Sequence, residues 1–201
     1  YAWNRSSQDF IDPRLDQDAE AGELSFQGLV DLSARDSLAA DIVFGVTSYS
    51  NPDTLLDERD RDQKTIVLNS RYAHVFSPFF AAGLSGGVNS FHQIYISSEQ
   101  SANNGRNDTY ILTPFARWRP FHKLLINQSF DIQANYITFD FDRKMLGTQN
   151  RIFRRATTHT EFNLIFSRKL TWRQTFTYRY EDYGQLLWHD GWQQAVSWDR
   201  R

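Results

Sequence analysis

The sequence contains no cysteine, one methionine, five prolines and ten glycines among 201 residues. Without cysteine there are no disulfides and no thiolate metal sites, so zinc ribbons and redox dithiols are excluded. A surplus of one charge is also lacking. Lysine and arginine total 22 and aspartate and glutamate 24, a net charge of -2, which offers no electrostatic reason for a nucleic-acid partner. No stretch reaches the roughly 18 to 20 apolar residues of a spanning helix. The chain starts at Tyr1 without a signal-like apolar run. What it does have is aromatic residues, at 15 %. The mean hydropathy of -0.58 is too polar for a helical membrane protein. It does not argue against a strand-crossing one, whose residues alternate between lipid and water.

Helical periodicity is scarce and period-two alternation is everywhere. Leu24, Phe26, Gly28, Val30 and Leu32 interleave with Ser25, Gln27, Leu29 and Asp31; Leu38, Ala40, Ile42, Phe44 and Val46 interleave with Ala39, Asp41, Val43, Gly45 and Thr47. Short turns, such as Ser77-Pro78-Phe79-Phe80, Arg119-Pro120-Phe121-His122 and Ser167-Arg168-Lys169, alternate with long polar connections. The long ones include Asn51-Pro52-Asp53 with the mixed run Asp57 to Asp62, the segment Ser97 to Asp108, and Asp140 to Asn150. About eight clear strands are expected within 22–182, with partial strands at 1–6 and 191–199. The whole of 1–201 then forms one domain or part of one. The expected strands are long enough to cross a bilayer core, for which about 9 to 11 tilted residues suffice. In a meander, all short turns fall at one end and all long connections at the other.

Charge separates by face. One face of each expected strand carries no Asp, Glu, Lys or Arg between its rims. The other carries Asp31, Asp41, Arg71, Arg117, Asp131, Arg155, Glu161, Arg173, Arg179 and Glu181. Arginine or lysine facing lipid at the midplane costs about 2 to 4 kcal/mol, whereas a charge in a watery lumen costs little. Aromatics including Tyr72, Phe76, Trp118, Tyr136, Phe166, Trp172, Tyr178 and Tyr180 collect near strand ends, where amphipathic rings favour an interface.

The alternation, the short turns Ser77 to Phe80 and Arg119 to His122, and the long polar loops resemble Gram-negative outer-membrane β-barrels. The resemblance is architectural and covers residues 20–182. It implies an all-β, antiparallel, up-and-down transmembrane barrel in the bacterial outer membrane, with short turns toward the periplasm, long loops outside and outer-membrane lipid as a partner. Such barrels end in a strand with a terminal aromatic residue, and this chain ends Ser197-Trp198-Asp199-Arg200-Arg201. With the abrupt start at Tyr1, a fragment of a larger barrel of which about 8 to 10 strands are present is expected.

Sites are sparse. No histidine pair has metal-ligand spacing and no cofactor motif occurs. His159 and Glu161 share a strand face about 7 Å apart. With Ser129 or Asp131 nearby they are the only candidates for a hydrolase site. Asn103 to Asp108 is oxygen-rich, but it reads as a polar turn before it reads as a calcium loop. Gly83, Gly86 and Gly87 lack the helix of a phosphate loop and read as strand glycines at a bend or close approach. Pro114, inside a strand, suggests a bulge. Gln128 and Gln174 on the uncharged face suggest an interfacial position or a protein partner in a larger complex.

The first functional expectation is therefore a pore, conduit wall or scaffold whose lumen is lined by the charged residues named above. An outer-membrane hydrolase is the second. A soluble ligand-binding β-barrel, with the two faces inverted, is the third; it would bury its charges at a high desolvation cost.

Overall fold

The computed structural model describes residues 2–8, 17–50, 60–140, 150–189 and 192–200. Asn51-Pro52-Asp53, Asp57-Glu58-Arg59 and most of the connection after Asp140 lie outside the described residues. Ten strands form one antiparallel sheet in strict chain order: β1 (Ala2–Gln8), β2 (Gln17–Asp31), β3 (Asp36–Ser50), β4 (Arg61–Ser77), β5 (Phe80–Tyr95), β6 (Gly105–Phe121), β7 (Leu124–Phe139), β8 (Arg151–Ser167), β9 (Leu170–His189) and β10 (Trp192–Arg200). The one helical piece among the described residues is a 3-10 turn, Ser101–Asn103. The all-β, up-and-down reading holds. Among the described residues β1 and β10 do not pair with each other, so the sheet is open.

The strands are longer than alternation alone suggests. β9 runs 20 residues to His189 and pairs with β10 across a two-residue connection. The alternation of short and long connections therefore breaks at that point.

Each end of the sheet has its own locking device. At the short-turn end, Ser33, Ser77 and Ser167 each accept the N–H two residues on, from Arg35 (3.0 Å), Phe79 (3.2 Å) and Lys169 (3.3 Å). A serine at the first turn position favours this local bond. The turns are also laced together. Val75 donates to the Arg35 carbonyl, Arg119 to that of Phe79, and Ile165 to that of Lys123. At the long-connection end two buried asparagines repeat one role. The Asn104 Oδ1 accepts the Tyr95 N–H (2.7 Å) and its carbonyl accepts the Asp140 N–H (2.9 Å). Asn150 does the same for Phe139 (2.8 Å) and Leu186 (2.7 Å). Buried polar atoms are thereby satisfied. The oxygens of Asn104 are occupied within the fold, and no metal-ligand cluster occurs among the described residues.

Pro114 makes no bulge. The β5–β6 register runs through it, and on the β7 side Leu112↔Ile132 and Phe115↔Ser129 keep the same register. The two β6–β7 pairs at Thr113 and Pro114 are missing from the ladder. The irregularities sit beside short turns instead, at Val75/Ser77, Trp118/Phe121 and Ile165/Ser167, and in β10 at Ala195/Ser197.

Among the described residues there is no apolar core. Among the described residues, Ile152 and Leu186 are the only buried hydrophobic ones. In β3, the half-buried Ala39, Asp41, Val43, Gly45 and Thr47 alternate with the exposed Leu38, Ala40, Phe44 and Val46. Phe26 is 59 % exposed, Phe176 57 % and Tyr178 69 %. Full burial of such a side chain is worth roughly 1.5–3 kcal/mol. The sheet thus leaves its hydrophobic free energy unrealised within the chain.

Candidate functional site

Paired residues of neighbouring strands share a face, and the register carries both faces across the sheet. On one face Phe26↔Ile42↔Leu68↔Val88↔Tyr110 forms a continuous apolar row. On the other, Asp41↔Asn69↔Gly87↔Ile111↔Gln133↔Arg155↔Glu181 runs from β3 to β9. All ten charged residues singled out in the sequence, from Asp31 to Glu181, lie on this second face.

The apolar face is not charge-free to the strand ends. Because β6, β8 and β9 extend further than expected, Arg106, Asp108, Arg154 and Asp182 lie on it near the long connections. They form compact ion pairs: Arg106 Nε to Asp108 at 2.6 Å, and Arg154 bidentate to Asp182 at 2.9 and 2.8 Å. Asp108 also accepts from Ser90 at 2.6 Å. With Glu20, Asp62 and Lys64, which the register places on the same face at that end, these ion pairs form a charged belt that bounds the apolar band. At the opposite end of the same face, Asp36 accepts from the hydroxyls of Ser33 and Tyr72 (2.5 Å from Tyr72) and meets His74 Nδ1 at 2.6 Å. Back at the long-connection end, where His92 is the cross-strand partner of Arg106, His92 pairs with Asp140 at 3.0 Å.

Gln128, polar within the apolar face, is satisfied by its own sheet. Its Nε2 donates to Thr158 Oγ1 (2.8 Å) and to the Ser129 carbonyl (3.0 Å), and its Oε1 accepts from Thr160 (2.5 Å). A partner is not needed to satisfy it.

On the charged face, side chains are sorted by partner. Glu161 accepts from Asn163 (2.6 Å) and pairs with Arg173 (3.3 Å); Glu181 pairs with Arg179 (3.8 Å). Asp41 accepts from Asn69 (2.9 Å), Asp131 from Thr113 (2.7 Å), and Gln133 from Arg155 (2.5 Å). Arg71 stacks over the Phe115 ring at 4.2 Å. Arg71 and Arg117 border a cavity of about 420 Å³, together with Ala73, Ala81, Ser85, Thr113, Phe115, Ala116, Asn127, Gln128, Ser129 and His159.

Backbone approach shapes this cavity. A Cβ on Gly83 would lie 2.2 Å from the Tyr72 carbonyl oxygen and 2.5 Å from the Phe115 ring, and one on Gly87 would lie 2.4 Å from Asn69 Oδ1. At both positions the close approach expected of these glycines is present, whereas Gly86 has ordinary contacts. Phe115 rests where a side chain at position 83 would be.

The hydrolase constellation does not assemble as a relay. Ser129 and His159 are direct cross-strand partners. The Nδ1 of His159 is taken by Thr177 Oγ1 at 3.0 Å, while Asp131 and Glu161 bond elsewhere. Among the described residues no carboxylate orients the imidazole, which a Ser-His-Asp arrangement requires. No known protein family matches the chain, and comparison with curated proteins and with solved structures yields no match.

Proposed function

We propose that this chain builds a transmembrane wall of a bacterial outer-membrane β-barrel, with its apolar face on lipid and its charged face on a polar lumen. The wall serves as a pore, a conduit or the scaffold of an envelope complex. One observation carries the reading: strands of 15 to 20 residues from β2 to β9 expose a continuous apolar face that carries ionic groups only toward the strand ends, while the other face carries them along its length. A soluble barrel needs the reverse. Contiguous exposed apolar surface of this extent marks contact with a membrane or a partner, and a sheet many strands wide matches a bilayer. The aromatic residues near the strand ends and the charged belt that includes the ion-paired Arg106, Asp108, Arg154 and Asp182 fall where hydrocarbon would give way to head groups. Hydrocarbon tolerates no open sheet edge, so β1 and β10 must each find a partner strand in the bilayer.

Folding into detergent or lipid vesicles tests this. A folded barrel wall migrates differently on gels before and after boiling and partitions into the detergent phase. Aqueous partitioning with unshifted migration would refute the membrane assignment.

A further inference from the structure

We propose that the cavity on the charged face is a binding site for a small oxyanion, a carboxylate or a phosphate, held by Arg71 and Arg117. This deepens the conduit reading of the same face and rests on it. Among the described residues no aspartate or glutamate lines the cavity. The carboxylates nearest in register are each engaged already: Asp131 by Thr113, Glu161 by Asn163 and Arg173, and Asp41 by Asn69. Arg173 and Arg179 face glutamates, whereas Arg71 and Arg117 face none.

The site is also built. Stacking on Phe115 fixes the Arg71 guanidinium and leaves its charge intact, since a ring face orients a cation without cancelling it. Phe115 in turn rests over Gly83, where no side chain can stand. Ser85, Asn127 and Ser129 add neutral donors around the same space. A guanidinium presents a planar fork of donors that matches a carboxylate or phosphate in two-point contact. The cavity volume of about 420 Å³ falls within the range of about 300–1,000 Å³ typical of small-molecule sites.

The test uses the chain folded in detergent micelles, with heat-modifiable migration as the check on folding. Inorganic phosphate and succinate are titrated separately by calorimetry. Saturable binding of either supports the site, and the anion that binds identifies the source as phosphorylated or carboxylic solutes. Binding on the order of ten-fold weaker is expected in the double variant Arg71→Gln/Arg117→Gln, and an intermediate loss in Arg71→Lys, which keeps the charge but not the fork. Arg179→Gln, whose arginine already faces Glu181, is expected to bind as the parent does. Two results would overturn the site while leaving the wall intact. One is a heat-modifiable protein that binds neither anion. The other is a loss in Arg179→Gln equal to that in the double variant, which would mean diffuse charge attraction. Failure of heat modifiability itself strikes the membrane reading instead.

Discussion

Val67 and Leu68 are neighbours in β4, yet they belong to two different solvents. Val67 sits between Val43 and Asn89 on the charged face, and Leu68 between Ile42 and Val88 on the apolar one. The charged face accepts ions, amides, hydroxyls and a cavity; on the apolar face Gln128 is satisfied within the sheet by Thr158 and Thr160. One face is specified by what it must exclude and the other by how its groups find partners.

The strongest way to break that contrast is to place one charge on each side. Leu68→Arg is expected to destabilise the chain folded in lipid vesicles by about 2 to 4 kcal/mol. Val67→Arg, one residue away, should remain within about 1 kcal/mol of the parent. Denaturant titration in vesicles, followed by tryptophan fluorescence, measures both. Equal costs would mean that the faces do not meet different media.

A smaller effect separates the faces by packing. Gly83→Ala drives a methyl group into the Tyr72 carbonyl and the Phe115 ring, at an expected cost of about 1–3 kcal/mol. Gly28→Ala on the apolar face meets nothing within 4 Å and should be neutral or slightly stabilising, because a strand glycine loses more conformational freedom than alanine. The same titration reads the difference, and a Gly83→Ala protein as stable as the parent would contradict the close approach.

The smallest stability change is expected at the ion pairs of the charged face. Arg173 is 73 % exposed at its side chain, so Arg173→Glu should cost no more than about 1 kcal/mol. Its effect belongs to conduction: in planar bilayers the variant should shift selectivity toward cations. An unchanged reversal potential would count against a conducting lumen at this position.

How much of this was legible beforehand follows from what each signal depends on. Side chains on a strand alternate with period two whatever the strand pairs with. The two faces, the meander and the grouping of Asp31 to Glu181 on one side could therefore be read directly from residue order. Strand ends were harder. Arg106, Asp108, Arg154 and Asp182 look like loop residues because charge resembles solvent exposure, until cross-strand partners show them paired within strands. Pro114 looked like a bulge because a lost donor is a local fact, whereas register is held by the whole ladder. The asparagines at 104 and 150 carried a faint signal, as oxygen-rich residues ahead of a strand, but their bonds reach segments distant in sequence.

Read alone, the chain dictates strand, face and the end at which each turn falls, because these depend on residue type and spacing. The partner of each charge was settled only by the tertiary structure. Glu161 finds Arg173, Arg71 finds Phe115, and Arg117 is left facing a cavity, because register and the bare backbone at Gly83 decide which side chains come within reach. Coulomb attraction and hydrogen bonding act over distances that residue order does not encode.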